Sequence, residues 1–115
     1  MSSPRSAKLV FRAIADPTRR NILDRLRTAP MRAGDIADAF PVSRPAISKH
    51  LRILRAARLV RQSRKGRERF YSISPQPLEH IDVWLAAYRL HWSANLVALK
   101  EFVESEQHQR AGDKS

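Results

Sequence analysis

Ten cationic side chains crowd the stretch from Ser43 to Ile73: Arg44, Lys49, Arg52, Arg55, Arg58, Arg61, Arg64, Lys65, Arg67 and Arg69. The only acid there is Glu68, so this segment carries +9 of the chain's formal net charge of +11. Guanidinium and ammonium groups at this density bind polyanions, and a guanidinium can also read guanine O6 and N7 in a duplex groove. From Pro77 to Glu106 the sign reverses. Arg89 and Lys100 face Glu79, Asp82, Glu101, Glu104 and Glu106, for a balance of −3. The positive charge is therefore a patch, and the last long segment serves something other than phosphate.

Other chemistries find little support. The chain has no cysteine, which excludes disulfides, thiolate metal sites and cysteine nucleophiles. That composition fits a cytoplasmic protein. No nucleophile–base pair, phosphate-cradling loop or paired-carboxylate constellation is present, so no catalytic residue, enzyme activity or cofactor is expected. No apolar run approaches the roughly 20 residues that span a bilayer, and residues 1–12 lack the apolar core of a secretory signal.

The patch needs elements to position it. At 115 residues the chain fits one domain. Leu9, Val10, Ala13 and Ile14 predict a first helix over Ala7–Ala15. Asp16-Pro17 is a cap followed by a proline at the first helical position, and it starts a second helix running to about Thr28. A short third helix is predicted over Ala33–Phe40, with Ile36, Ala37 and Phe40 inward and Pro41 as its stop. Ser43 caps a fourth helix, with Pro45 tolerated in its first turn. Ile47, Leu51 and Leu54 form its narrow apolar face. Two helices joined by a three-residue turn make a helix-turn-helix.

Beyond Arg58 the period changes. Leu59–Arg64 and Arg67–Ile73 flank Lys65-Gly66 and read as a β-hairpin with an arginine-rich tip. Ser74-Pro75-Gln76-Pro77 breaks the chain. A long helix follows over about 78–106, roughly 40 Å at 1.5 Å per residue. The expected domain spans 5–106, and 107–115 reads as a polar, disordered tail. The fold class predicted is mainly α: a winged helix-turn-helix with a two-stranded β-wing and a long C-terminal dimerisation helix.

Each device has a role. The N-terminal part of a helix in the major groove reaches base edges, so Ser43, Arg44, Pro45, Ala46, Ser48, Lys49, His50 and Arg52 form the expected DNA-facing set. Arg64, Lys65, Arg67 and Arg69 at the hairpin tip would hold flanking phosphates or the minor groove. Along the last helix Ile81, Leu85, Tyr88, Trp92, Leu96, Leu99 and Phe102 follow one stripe, widened by Trp84 and Val103. A stripe of that length outruns a core of four short helices, and a symmetric copy is its natural cover. Leu9 and Val10 are expected to join the same dimer interface.

The run from Phe11 to Ile73 resembles the ArsR/SmtB family of winged-helix repressors. The resemblance is carried by Ala15-Asp16-Pro17-Thr18-Arg19-Arg20-Asn21-Ile22-Leu23, by Val42–Leu54, by Leu59-Val60, and by Gly66-Arg67-Glu68-Arg69-Phe70-Tyr71-Ser72-Ile73. The long last helix looks most like the autorepressor-type branch. The resemblance implies a homodimer on an inverted-repeat operator of double-stranded DNA, repressing transcription until an effector of unknown chemistry releases it.

Two departures matter. Many members have Gly where Arg58 stands, and a non-Gly residue in a left-handed cap costs of order 1 kcal/mol, so a different helix ending is expected. The stretch Arg32–Asp38 also lacks the Cys-x-Cys motif of metal-sensing members, and no metal site is assigned. Two alternatives remain beside the sequence-specific repressor. One is a sequence-tolerant architectural DNA binder. The other is a zinc-responsive repressor through His80 and His91 between paired C-terminal helices, with Asp82 as a third ligand. Those histidines lie about 16 Å apart along one helix, so only two copies could bring them together.

Overall fold

The computed structural model describes the backbone of residues 4–113 and the side chains of residues 4–108. Two compact units meet in sequence at Ile81 and Asp82, and each is described by itself. The elements run α1 (Pro4–Ile14), α2 (Pro17–Leu26), β1 (Met31–Arg32), α3 (Ala33–Ala39), α4 (Arg44–Ala56), β2 (Val60–Lys65), β3 (Glu68–Ile73), a 3₁₀ turn (Gln76–Leu78) and α5 (Glu79–Asp113).

Local chemistry sets most of these bounds. The Asp16 carboxylate accepts the backbone N–H of Arg19 at 3.0 Å, and Pro17 opens α2. Ser43 Oγ accepts the N–H of Ala46 at 3.2 Å, with Pro45 in the first turn of α4. In both cases an orphan donor of the first turn is satisfied by the residue before the helix.

The far end of α4 corrects an expectation. Arg58 does take the left-handed conformation, at φ 60°. Its N–H donates to the Arg55 carbonyl at 2.9 Å and that of Leu59 to the Leu54 carbonyl at 3.0 Å. These two bonds and their spacing define a Schellman cap. Leu54 and Leu59 are both fully buried, supplying the apolar contact that accompanies such caps. The helix therefore ends as it would with glycine, despite the Cβ of Arg58.

Strands β2 and β3 pair antiparallel from Val60↔Ile73 to Lys65↔Glu68. The connecting turn is Gly66-Arg67, one residue later than the sequence suggested, with φ 65° at Gly66 and no positive φ at Arg67. Positive φ at the first position alone is the pattern of a II′ turn, which favours glycine there. A third strand was not foreseen: β1 pairs with β3 through Met31↔Tyr71 and Arg32↔Phe70, giving the order β1-β3-β2.

The core of the first unit is Val10, Ala13, Ile22, Leu23, Leu26, Ile36, Ile47, Leu51, Leu54, Ala57, Leu59, Val60 and Tyr71, with Leu9, Phe40, Leu78 and Ile81 packed against it. Ile47, Leu51 and Leu54 fix the roll of α4 and so decide which of its residues face water. The second unit is the helix from Asp82 onward. Its backbone stays helical to Asp113, past the end expected near 106. Residues 114–115 of the expected tail lie outside the described residues.

Candidate nucleic-acid interface

On α4, Ser43, Arg44, Pro45, Ser48, Lys49 and Arg52 are exposed and Ala46 is half-exposed. Arg44 touches acid only weakly: its Nη2 lies 3.6 Å from Asp38 Oδ1, with both side chains more than 70% exposed. Such a pair contributes little in water and yields readily to a phosphate or a base edge. Thirteen residues make α4 about 20 Å long, and a single helix fits a groove about 12 Å wide.

His50 is placed otherwise. Its side chain is turned into the first unit, only 17% exposed and 3.9 Å from the Asp16 carboxylate. Arg19 Nη1 lies 3.2 Å from His50 Nδ1. The same guanidinium donates to the α1 carbonyls of Ala13 at 2.7 Å and Arg12 at 3.0 Å, and Arg20 donates to Ile14 at 2.8 Å. One arginine thus joins the end of α1, the start of α2 and the middle of α4. The Asp16 carboxyl is held below its ordinary pKa, chiefly by the Arg19 backbone N–H. The nearby His50 and Arg19 charges add to this, and partial burial opposes it. Arg19 and Arg20 were not singled out from the sequence. A signal existed: two cations in the first turn of a helix oppose its dipole, which implies that they serve another element.

The hairpin carries the second group. Arg64, Lys65, Arg67 and Arg69 are all exposed, and Arg64 stands directly opposite Arg69 across the ladder. Like charges so placed destabilise a hairpin unless an outside anion lies between them. The one acid of the tip, Glu68, is engaged elsewhere, 2.9 Å from Arg32 of β1. Arg32 and Lys65 also lie over the Phe70 ring, at 6.0 and 5.7 Å from its centroid. Among the described residues, the Arg64, Arg67 and Arg69 guanidiniums have no carboxylate partner.

The proposed dimer residues divide. Val10 is only 1% exposed and belongs to the core of its own unit, so it has almost no surface to offer a second chain. Leu9 and Ile81 are half-buried against that same core. In the second unit Leu85 is half-buried, while Tyr88, Trp92, Leu96, Leu99 and Phe102 are exposed. Trp84 and Tyr88 meet tilted, with centroids 5.2 Å apart, and Tyr88 stacks on Trp92 at 6.2 Å. Among the described residues, no group of three or more His, Asp or Glu side chains is placed to hold a metal ion, and no helix is long and apolar enough to cross a membrane.

Residues 16–62, from the α2 cap through α4 into β2, match the bacterial regulatory protein family named for arsR. The chain is similar to the transcriptional repressor SdpR of Bacillus subtilis, 47% identical over 66% of this chain and 84% of that protein. It is also similar to the HTH-type transcriptional regulator Rv2034 of Mycobacterium tuberculosis, 38% identical over 92% and 96% respectively. Among solved structures, an ArsR family transcriptional regulator superimposes with TM-score 0.70 at 32% identity, covering 80% of this chain and 95% of that one. An ArsR-like regulator from Rhodococcus sp. RHA1 gives TM-score 0.65 at 36% identity, covering 85% and 92%. This chain belongs to the ArsR family of winged helix-turn-helix proteins and is a DNA-binding transcriptional regulator.

Proposed function

We propose that the protein is a sequence-specific repressor that binds an inverted-repeat operator as a homodimer. The carrying observation is the wing: Arg64 opposite Arg69, with the only nearby acid withdrawn to Arg32. That geometry is unfavourable in water and favourable against a phosphate backbone. Arg44, Ser48, Lys49 and Arg52 supply the groove-facing side of α4, and Ser43 and Ser48 can donate to phosphates. His50 acts from behind, holding α4 against α1 and α2 rather than touching a base.

Dimerisation is supported by the second unit. Exposed Trp92, Leu96, Leu99 and Phe102 (45%, 63%, 57% and 60%) are a costly surface for a lone helix, and a two-fold partner would cover them twice over. Two α4 helices related by that axis would meet successive major grooves about 34 Å apart. The repressor named among the relatives supports repression as the outcome of binding. Footprinting on the DNA flanking this gene tests the proposal. The expected result is a protected inverted repeat with half-site centres about one helical turn apart. Uniform protection with no preferred segment rejects it.

A further inference from the structure

Three arginines outside the set assigned above to DNA line one concavity. Arg55 leaves the last turn of α4, Arg58 follows its cap and Arg61 lies on β2, and all three are exposed side chains lining one concavity of about 400 Å³. Its apolar wall includes Val60 and Pro77. In its lining, buried Ser74 donates from Oγ to Gln76 Oε1 at 3.1 Å, which leaves the amide N–H groups of Gln76 as further donors. Among the described residues, none of the three guanidiniums has a carboxylate partner.

A helix C-terminus attracts cations through its dipole, and that accounts for Arg55. It does not account for Arg58. Glycine would make the same Schellman cap without steric cost, yet the chain holds an arginine at φ 60°. Backbone strain kept at a cleft, where an easier residue exists, points to a use for the side chain. Nor does the dipole account for Arg61, which sits on a strand. The volume is in the range of small-molecule sites, and three donor forks beside an apolar wall suit an anionic head on a small apolar body.

We propose that this cleft binds a small organic oxyanion, a carboxylate or a phosphate monoester, through Arg55, Arg58 and Arg61. The same guanidiniums could instead meet a backbone phosphate of DNA, and the test separates the two sources. The full-length protein, free of DNA, is titrated with benzoate and with phenyl phosphate at constant ionic strength, and amide shifts are followed by NMR. Saturable shifts are expected at Arg58, Val60, Arg61 and Gln76. Arg58→Gln and Arg61→Gln should each weaken binding about tenfold, whereas Arg27→Gln, an equal charge loss at the C-cap of α2, should not. Arg58→Gln keeps a non-glycine residue at the strained position, so the cap is not relieved at the same time. The salt dependence of DNA binding should be unchanged in Arg58→Gln. Non-saturable shifts with both probes, equal weakening by Arg27→Gln, or a salt slope reduced by about one unit in Arg58→Gln would each overturn the proposal. The anion readout requires no DNA, so it stands or falls separately from the repressor reading.

Discussion

The strain at Arg58 can be measured directly by comparing two substitutions that both remove the guanidinium. Arg58→Ala keeps a Cβ at φ 60° and Arg58→Gly does not. A left-handed residue with a Cβ costs about 1–2 kcal/mol. Glycine gives back about 0.5–1 kcal/mol because its unfolded chain is freer. The glycine variant should therefore be more stable than the alanine variant by about 0.5–1 kcal/mol, a gain of about 2–4 °C in melting temperature for a chain of this size. The Schellman bonds of Arg58 and Leu59 keep the position left-handed in both variants, since Leu59 is fully buried and cannot swing out cheaply. Thermal and urea unfolding at one fixed chain concentration is the assay, because association shifts apparent stability. The helical alternative has the opposite sign, with alanine favoured by about 1 kcal/mol. If Arg58→Ala equals or exceeds Arg58→Gly, the cap is not left-handed and the reasoning fails.

Further outcomes follow from the same geometry. Asp16→Ala should cost about 1 kcal/mol through the lost cap of α2. The folded pKa of Asp16 lies below its ordinary 3.8, so its stabilisation is complete above that value and disappears as pH falls through the folded pKa. A penalty for Asp16→Ala that does not decline as the Asp16 carboxyl titrates in acid would show that the charge plays no part. Lys65→Ala or Arg67→Ala should weaken operator and random DNA alike and lower the salt slope by about one unit, read by fluorescence anisotropy at several salt concentrations. A loss confined to the operator would mean that the wing reads bases. Leu96→Asp should dissociate the dimer without unfolding the first unit, seen as halved mass in sedimentation with unchanged helix-turn-helix NMR signals. An unchanged mass would refute dimerisation through this helix.

The starts of α2 and α4 were legible because their signals are local: an Asp or Ser oxygen one residue before the helix, with proline in the first turn. The apolar stripe of α4 was legible for the same reason. The half-buried placement of His50 beside Asp16 and Arg19 was not anticipated, although its helical neighbours pointed to it. His50 stands three residues after Ile47 and four before Leu54, both buried, so it flanks the inward face and meets Arg19 there. Val10 was given to a dimer interface because an apolar residue on an N-terminal helix has no sequence mark of which side it buries. Strand β1 has two residues, too few for alternation to appear, and its Arg32 anchor for Glu68 depends on a pairing 36 residues away. Arg58 shows the converse: the local cost was read correctly, but the burial of Leu59 offsets it. Fully burying a leucine contributes about 1.5–3 kcal/mol, enough to offset the about 1–2 kcal/mol cost of the left-handed residue.

The central claim is sequence-specific recognition through α4, and one ratio tests it. Dissociation constants for the flanking inverted repeat and for a scrambled duplex of equal length are measured at the same salt concentration, for the native chain and for Arg44→Ala. The native protein should prefer the repeat by at least about 10³-fold, and Arg44→Ala should reduce that preference by about tenfold while changing scrambled-duplex affinity far less. Equal affinity of the native protein for the repeat and the scrambled duplex would contradict the account.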